Sequence, residues 1–171
     1  WINGYIHRSV IAHELGHNFG LGHADTITCT DPGGAPVTIS NVCTEQEYQD
    51  PYEVMGGWGR QLSAVSRQLI GVLDPGQVVT VTGPATVDIE SVSVPGSGVK
   101  SVEIPRAGTS DVWFLEARSP AGYDTFAIGD QAPQGVLIRR RTEDAFFQSG
   151  TQLIDANPAT ATVSDAAFLP G

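Results

Sequence analysis

From Ser9 onward, Ile11, Leu15 and Phe19 recur at every fourth position. That spacing predicts a helix with one apolar face, and Gly20 and Gly22 predict its stop. Residues 24–50 show no such period. They are polar and rich in turn formers, with Asp31-Pro32-Gly33-Gly34 near the middle, and read as a loop. "YEVMGGWG" at 52–59 reads as a tight turn, because adjacent glycines permit positive φ. Helical spacing returns over 60–73 at Leu62, Val65, Leu69, Ile70 and Leu73, and Asp74-Pro75-Gly76 stops it.

The texture then changes. "QVVTVTG" (77–83), "ATVDIESVSV" (85–94), "VKSVEI" (99–104), "VWFLEAR" (112–118), "GVLIRR" (135–140) and "TQLID" (151–155) are β-branched or aromatic runs between turn residues. They predict about six strands in a small sandwich packed on the helical part. The expected fold class is therefore α+β. Residues 1–76 form a portion with two helices and a turn, and 77–171 a β-rich region that supports it.

Composition narrows the partners. Nineteen acidic against nine basic residues leave a net charge of −10, which disfavours nucleic acid and anionic membrane surfaces. No apolar run approaches the length of a membrane span. The one basic cluster, Arg139-Arg140-Arg141, reads as the solvated end of a strand. Cys29 and Cys43 bracket the turn-rich stretch. A disulfide between them is the favoured reading and would contribute about 3 kcal/mol in the chain-entropy model. It would also imply an oxidising, extracellular compartment. Two free thiols or a pair of metal ligands are the alternatives. The opening Trp1, with no initiator Met or signal-type segment, reads as a cut from a longer precursor.

Three of the four histidines fall within "HELGHNFGLGH", residues 13–23. On a helix His13 and His17 share a face. Glu14 lies about 100° round, placed to touch a water rather than to ligate alongside both. Gly20 lets the chain leave the helix so that His23 returns as a third ligand. Three neutral imidazoles leave one tetrahedral position open, the pattern of a catalytic zinc site, where Glu14 would act as general base. His7 reads as a surface histidine. Asp25 reads equally as an outer-sphere partner of a ligand or as an exposed loop aspartate. Asp31, Glu45, Glu47 and Asp50 make the stretch acidic, but no spacing there resembles a calcium loop. There is no GxSxG, and a serine or cysteine nucleophile has no support.

HExxHxxGxxH followed by a methionine turn resembles the metzincin zinc endopeptidases, and within them the gametolysin-like secreted bacterial metallopeptidases. "WING" at 1–4, "EYQDPYEVMG", "RQLIGVLDPGQV", "VWFLEAR", "GVLIRR" and "QLIDANP" add to the likeness. The resemblance implies one zinc ion on His13, His17 and His23, with Met55 as a hydrophobic base beneath them. It also implies a protein or peptide substrate and a secreted enzyme. Gly57 stands where some metzincins place a tyrosine near the metal. Tyr48 and Tyr52 are the other candidates to steady an oxyanion, but the sequence positions neither. Against that resemblance the chain reads as lacking the clan's N-terminal substrate-binding sheet, and "DAAFLPG" as stopping where the β region is expected to continue. A zinc-binding fragment that is inactive alone is therefore a second expectation. A third is a β-rich binding module for cell-surface protein or glycan, with Trp113, Phe114 and Tyr123 as its candidate contact residues.

Overall fold

The computed structural model describes residues 4, 6–57, 59–142 and 149–170. The Trp-Ile-Asn of the opening "WING" and Trp58 of the glycine turn lie outside the described residues. Helix α1 spans Arg8–Asn18 and begins where the His7 side chain accepts from Ser9 N–H. It ends at Gly20, whose φ of 89° gives the left-handed turn a glycine adopts at least cost.

The chain goes straight from that turn into β1 (Leu21–Thr30), followed by β2 (Pro36–Val37) and β3 (Val42–Gln46). A 3-10 turn over Val54–Gly56 precedes the short helix α2 (Ala64–Leu69). The remaining strands are β4 (Val78–Thr80), β5 (Ser101–Pro105), β6 (Val112–Ala117), β7 (Val136–Thr142) and β8 (Ser149–Ile154). All eight form one mixed sheet in the order β2-β1-β8-β7-β6-β5-β4, with β3 also paired to β1. The β1–β8 and β4–β5 pairs are parallel and the others antiparallel.

This topology overturns the expected fold class. The chain is mostly one mixed eight-stranded sheet, not a metzincin-like helical catalytic portion followed by a sandwich. Among the described residues, α1 is the only helix longer than six residues. Residues 21–30 and 42–46, expected as helix end and loop, are strands. β1 is buried along nearly its whole length, so it lacks the in–out alternation that marks a half-exposed strand. The second helix is shorter than its apolar spacing predicts. Residues 85–94 form no strand, although their β-branched content suggested one.

Two further corrections concern side chains. Leu15 is 49% and Phe19 65% exposed, because the face of α1 turned inward carries Gly16, not the larger residues. A Cβ at Gly16 would run into Met55 Sδ. Arg139, read as solvated, is 0% exposed. Its Nε donates to Asp50 Oδ2 at 2.8 Å, and its Nη1 donates to Glu116. Glu116 also accepts from Arg118 at 2.7 Å and from the Ala64 N–H that opens α2. Asp124 pairs with Arg118 at 2.9 Å.

Small apolar clusters surround this network. Leu21, Ala24, Val54 and Met55 pack beneath α1, with Leu62, Leu69 and Ile70 against them. Ile27, Cys29 and Ile154 form another cluster, joined by Trp113. The Cys29–Cys43 disulfide links β1 to β3.

Burial alone would raise the Glu116 carboxyl, but Arg118 and Arg139 outweigh it and hold the group at about 2, against an ordinary 4.5. A depressed carboxyl stabilises the fold fully above its unfolded value. That stabilisation is lost as pH falls from about 4.5 towards 2. Urea titrations across this window should show a shallower loss in Glu116→Gln than in the wild type. Arg139→Met, which strands Asp50 and leaves Glu116 to Arg118, should cost about 3–5 kcal/mol at pH 7. Parallel acid profiles for the wild type and Glu116→Gln would contradict the assignment.

Candidate metal centre

The helix, the turn after it and the first strand bring His13, His17 and His23 together. One ring nitrogen of each lies within 4.8 Å of the others, a set that could hold a metal ion. His13 Nε2 and His17 Nε2 are 3.1 Å apart. Two ligands on one tetrahedral zinc would sit about 3.3 Å apart at ordinary Zn–N lengths. His23 enters from β1 at an irregularity in its pairing with β8. The register runs Leu21↔Ser149 and then Ala24↔Thr151, so β1 carries one extra residue there. A bulge of this kind re-aims a side chain. Gly150 of β8 lies against the His23 backbone, and a Cβ there would come 2.8 Å from His23 O.

The opposite ring nitrogen of each histidine has its own partner. His13 Nδ1 meets Val54 O at 3.1 Å and His17 Nδ1 meets Leu21 O at 2.8 Å. A carbonyl can only accept, so both Nδ1 atoms are protonated donors and the lone pairs of both Nε2 atoms face the same space. His23 Nδ1 meets Glu47 Oε1 at 2.7 Å. Acceptors behind the ligands are the usual way that tautomer and ring orientation are fixed at a metal site. Burial lowers the pKa of His13, and the neighbouring His17 and His23 push the same way against the Val54 carbonyl. Its neutral form, the one that ligates, is thereby favoured.

Tyr48 closes the site. Its hydroxyl lies 2.5 Å from His23 Nε2 and its ring centroid 3.8 Å from that of His23. It is the one non-glycine at positive φ among the described residues, at 61°. Such backbone costs about 1 kcal/mol or more and persists only where its surroundings hold it. Here Asp25 Oδ1 accepts from Tyr48 N–H at 2.9 Å. Burial raises Asp25 to about 6 despite that bond, and burial together with Glu47 raises the Tyr48 phenol.

A recess of about 210 Å³ lies over this corner, lined by Ser9, Val10, His13, Glu14, Tyr48 and Gly57. Glu14 thus faces the space above His13 without belonging to the three-nitrogen cluster. Met55 is buried under α1, its thioether against Gly16, one residue before His17. Tyr52 is wholly buried in another cluster, and its hydroxyl donates to Ser164 O at 2.9 Å. His7 caps α1, apart from the cluster. Among the expected aromatic candidates, Phe114 is buried, Trp113 packs into the sheet, and Tyr123 lies exposed under Arg8.

Sequence reasoning left Glu47 as one of several loop acids and Tyr48 without a place. It passed over Gly16, Gly150 and the two carbonyls altogether. Only Gly16, in the middle of "HELGH", had a local signal, since a glycine inside a helix marks a close approach.

No family model, no curated protein and no solved structure matches this chain. Among the described residues, no helix is long and apolar enough to cross a membrane.

Removing the acceptor behind His23 should loosen any metal bound by the three histidines without unfolding the sheet. Glu47→Ala is expected to weaken zinc binding about 10–100-fold in competition with a chromophoric chelator. An unchanged affinity would mean that Glu47 does not orient the ligand.

Proposed function

We propose that the chain is a secreted zinc-dependent endopeptidase. The observation that supports this most is the arrangement of the three rings: Val54 O, Leu21 O and Glu47 each meet a Nδ1, and one ring nitrogen of each histidine lies within 4.8 Å of the others. The donor set fits zinc, with three imidazoles and room for a fourth ligand. The likeness of residues 13–23 and Met55 to the metzincin motif supports the choice of peptide hydrolysis, and does so at the level of the motif alone. The Cys29–Cys43 disulfide supports an oxidising compartment.

A zinc ion bound there would lower the pKa of a water molecule and polarise a substrate carbonyl. The Glu14 carboxylate takes the water proton as general base and returns it to the departing amine. Were His23 Nε2 to hold the metal, the Tyr48 hydroxyl, now 2.5 Å from that nitrogen, would be placed to donate to the carbonyl oxygen as negative charge develops on it. Val10 and Gly57 shape the recess beside these groups.

A second reading, a metal-binding piece of a larger peptidase that cannot cleave alone, draws on the exposed Leu15 and Phe19 of α1. Hydrolysis of unfolded casein by the zinc-loaded chain separates the two. The endopeptidase reading expects cleavage that disappears in Glu14→Gln while zinc stays stoichiometric. It expects Tyr48→Phe to lose about 100-fold in kcat with little change in KM. Cleavage by Glu14→Gln at the wild-type rate would sink the mechanism. Full zinc loading with no cleavage by the wild type would favour the second reading.

A further inference from the structure

We propose that the outer edge of β3 is a docking strand for an extended, basic polypeptide, leading it to the three imidazoles; this names the substrate of the peptidase site and rests on that reading. β3 pairs with β1 alone among the described strands, and all of its residues except Cys43 are exposed. The direction of its free backbone groups follows from the register. Cys29 and Cys43 are directly opposite, with Cα atoms 4.0 Å apart, the close spacing of a non-hydrogen-bonded antiparallel pair. In such a pair both residues turn N–H and C=O away from each other's strand. Pairing alternates, so Glu45 opposite Ile27 does the same. No turn or loop bond among the described residues takes up the backbone of Cys43 or Glu45. β3 therefore offers a row of outward donors and acceptors, the requirement for adding a strand.

The edge runs into the metal centre without a break. Gln46 ends β3, and the next two residues are Glu47 and Tyr48, which hold His23 from its two ring nitrogens. At about 3.3 Å per residue, a segment of roughly six residues paired along β3 would reach the imidazoles. Charge selects the occupant. Glu45 and Glu47 are exposed on this edge of a chain with net charge −10. Lysine or arginine on an added strand would face them favourably, whereas a second copy of this chain would bring like charges together.

Glu45→Pro tests the edge directly. Proline at an outward-facing position removes the docking N–H and leaves the β1–β3 ladder intact. Glu45→Ala controls for the side chain, which contacts Gln152. The ligand is a blocked decapeptide of alternating valine and lysine, titrated by calorimetry into the zinc-loaded chain, with a version N-methylated at alternate amides as comparison. The decapeptide should bind the wild type, bind Glu45→Ala a fewfold more weakly for the lost charge, and bind Glu45→Pro at least tenfold more weakly than Glu45→Ala. The methylated peptide should bind the wild type at least tenfold more weakly, a comparison that stands even if Glu45→Pro fails to fold. Equal binding of both peptides to the wild type would overturn the proposal. So would a dimer in sedimentation that folded Glu45→Pro dissociates. A peptide that docks in this way but is not cut leaves the docking strand standing and counts against hydrolysis alone.

Discussion

Arg139 lies fully buried between Asp50 and Glu116, and much of the molecule is arranged around that guanidinium. Charges taken out of water cost several kcal/mol each, so a buried cation is tolerable only where carboxylates meet it with good geometry. Asp50 comes from the segment after β3, Glu116 from β6 and Arg139 from β7. One ion-pair system thus ties the middle of the sheet to the stretch that carries Glu47, Tyr48 and the 3-10 turn. Asp50 N–H also donates to Ala24 O, fixing the same stretch to the strand of His23. Glu116 accepts the first N–H of α2, so the short helix is anchored to the same group.

The three-histidine cluster inherits its geometry from this frame. His13 and His17 are placed by α1, but Val54 O and the buried Met55, both in the 3-10 turn, set the height and orientation of that helix over β1. His23 is aimed by the irregular β1–β8 register and by Gly150. The sheet is therefore the scaffold of the site and not an appendage to it. Gly56 shows how tight the arrangement is. A Cβ there would collide with the backbone oxygen of Asp50, the residue that grips Arg139.

The sequence made the three histidines legible because they are local. An i, i+4 pair followed by a glycine turn is readable from neighbours alone, and the chain does turn at Gly20. What stayed hidden depends on long-range pairing. β1 and β8 lie at opposite ends of the chain and run parallel, and a strand buried on both faces that contains Asp25 and Thr26 carries no alternation to read. Glu47 and Tyr48 reach His23 only because β3 folds back on β1. Arg139 was misread because its run ends in three arginines. The alternation of the strand buries one of them, and its partners are distant in sequence. The apolar period of α1 misled in the opposite sense: Leu15 and Phe19 mark a face that the described residues leave open.

We have proposed that His13, His17 and His23 share one metal ion, each through one ring nitrogen. X-ray absorption at the zinc edge of the loaded chain would read that coordination shell. One zinc per chain is expected, with three imidazole nitrogens and one oxygen ligand at about 2.0 Å. Zinc in an all-oxygen shell, or no stoichiometric zinc at all, would contradict it.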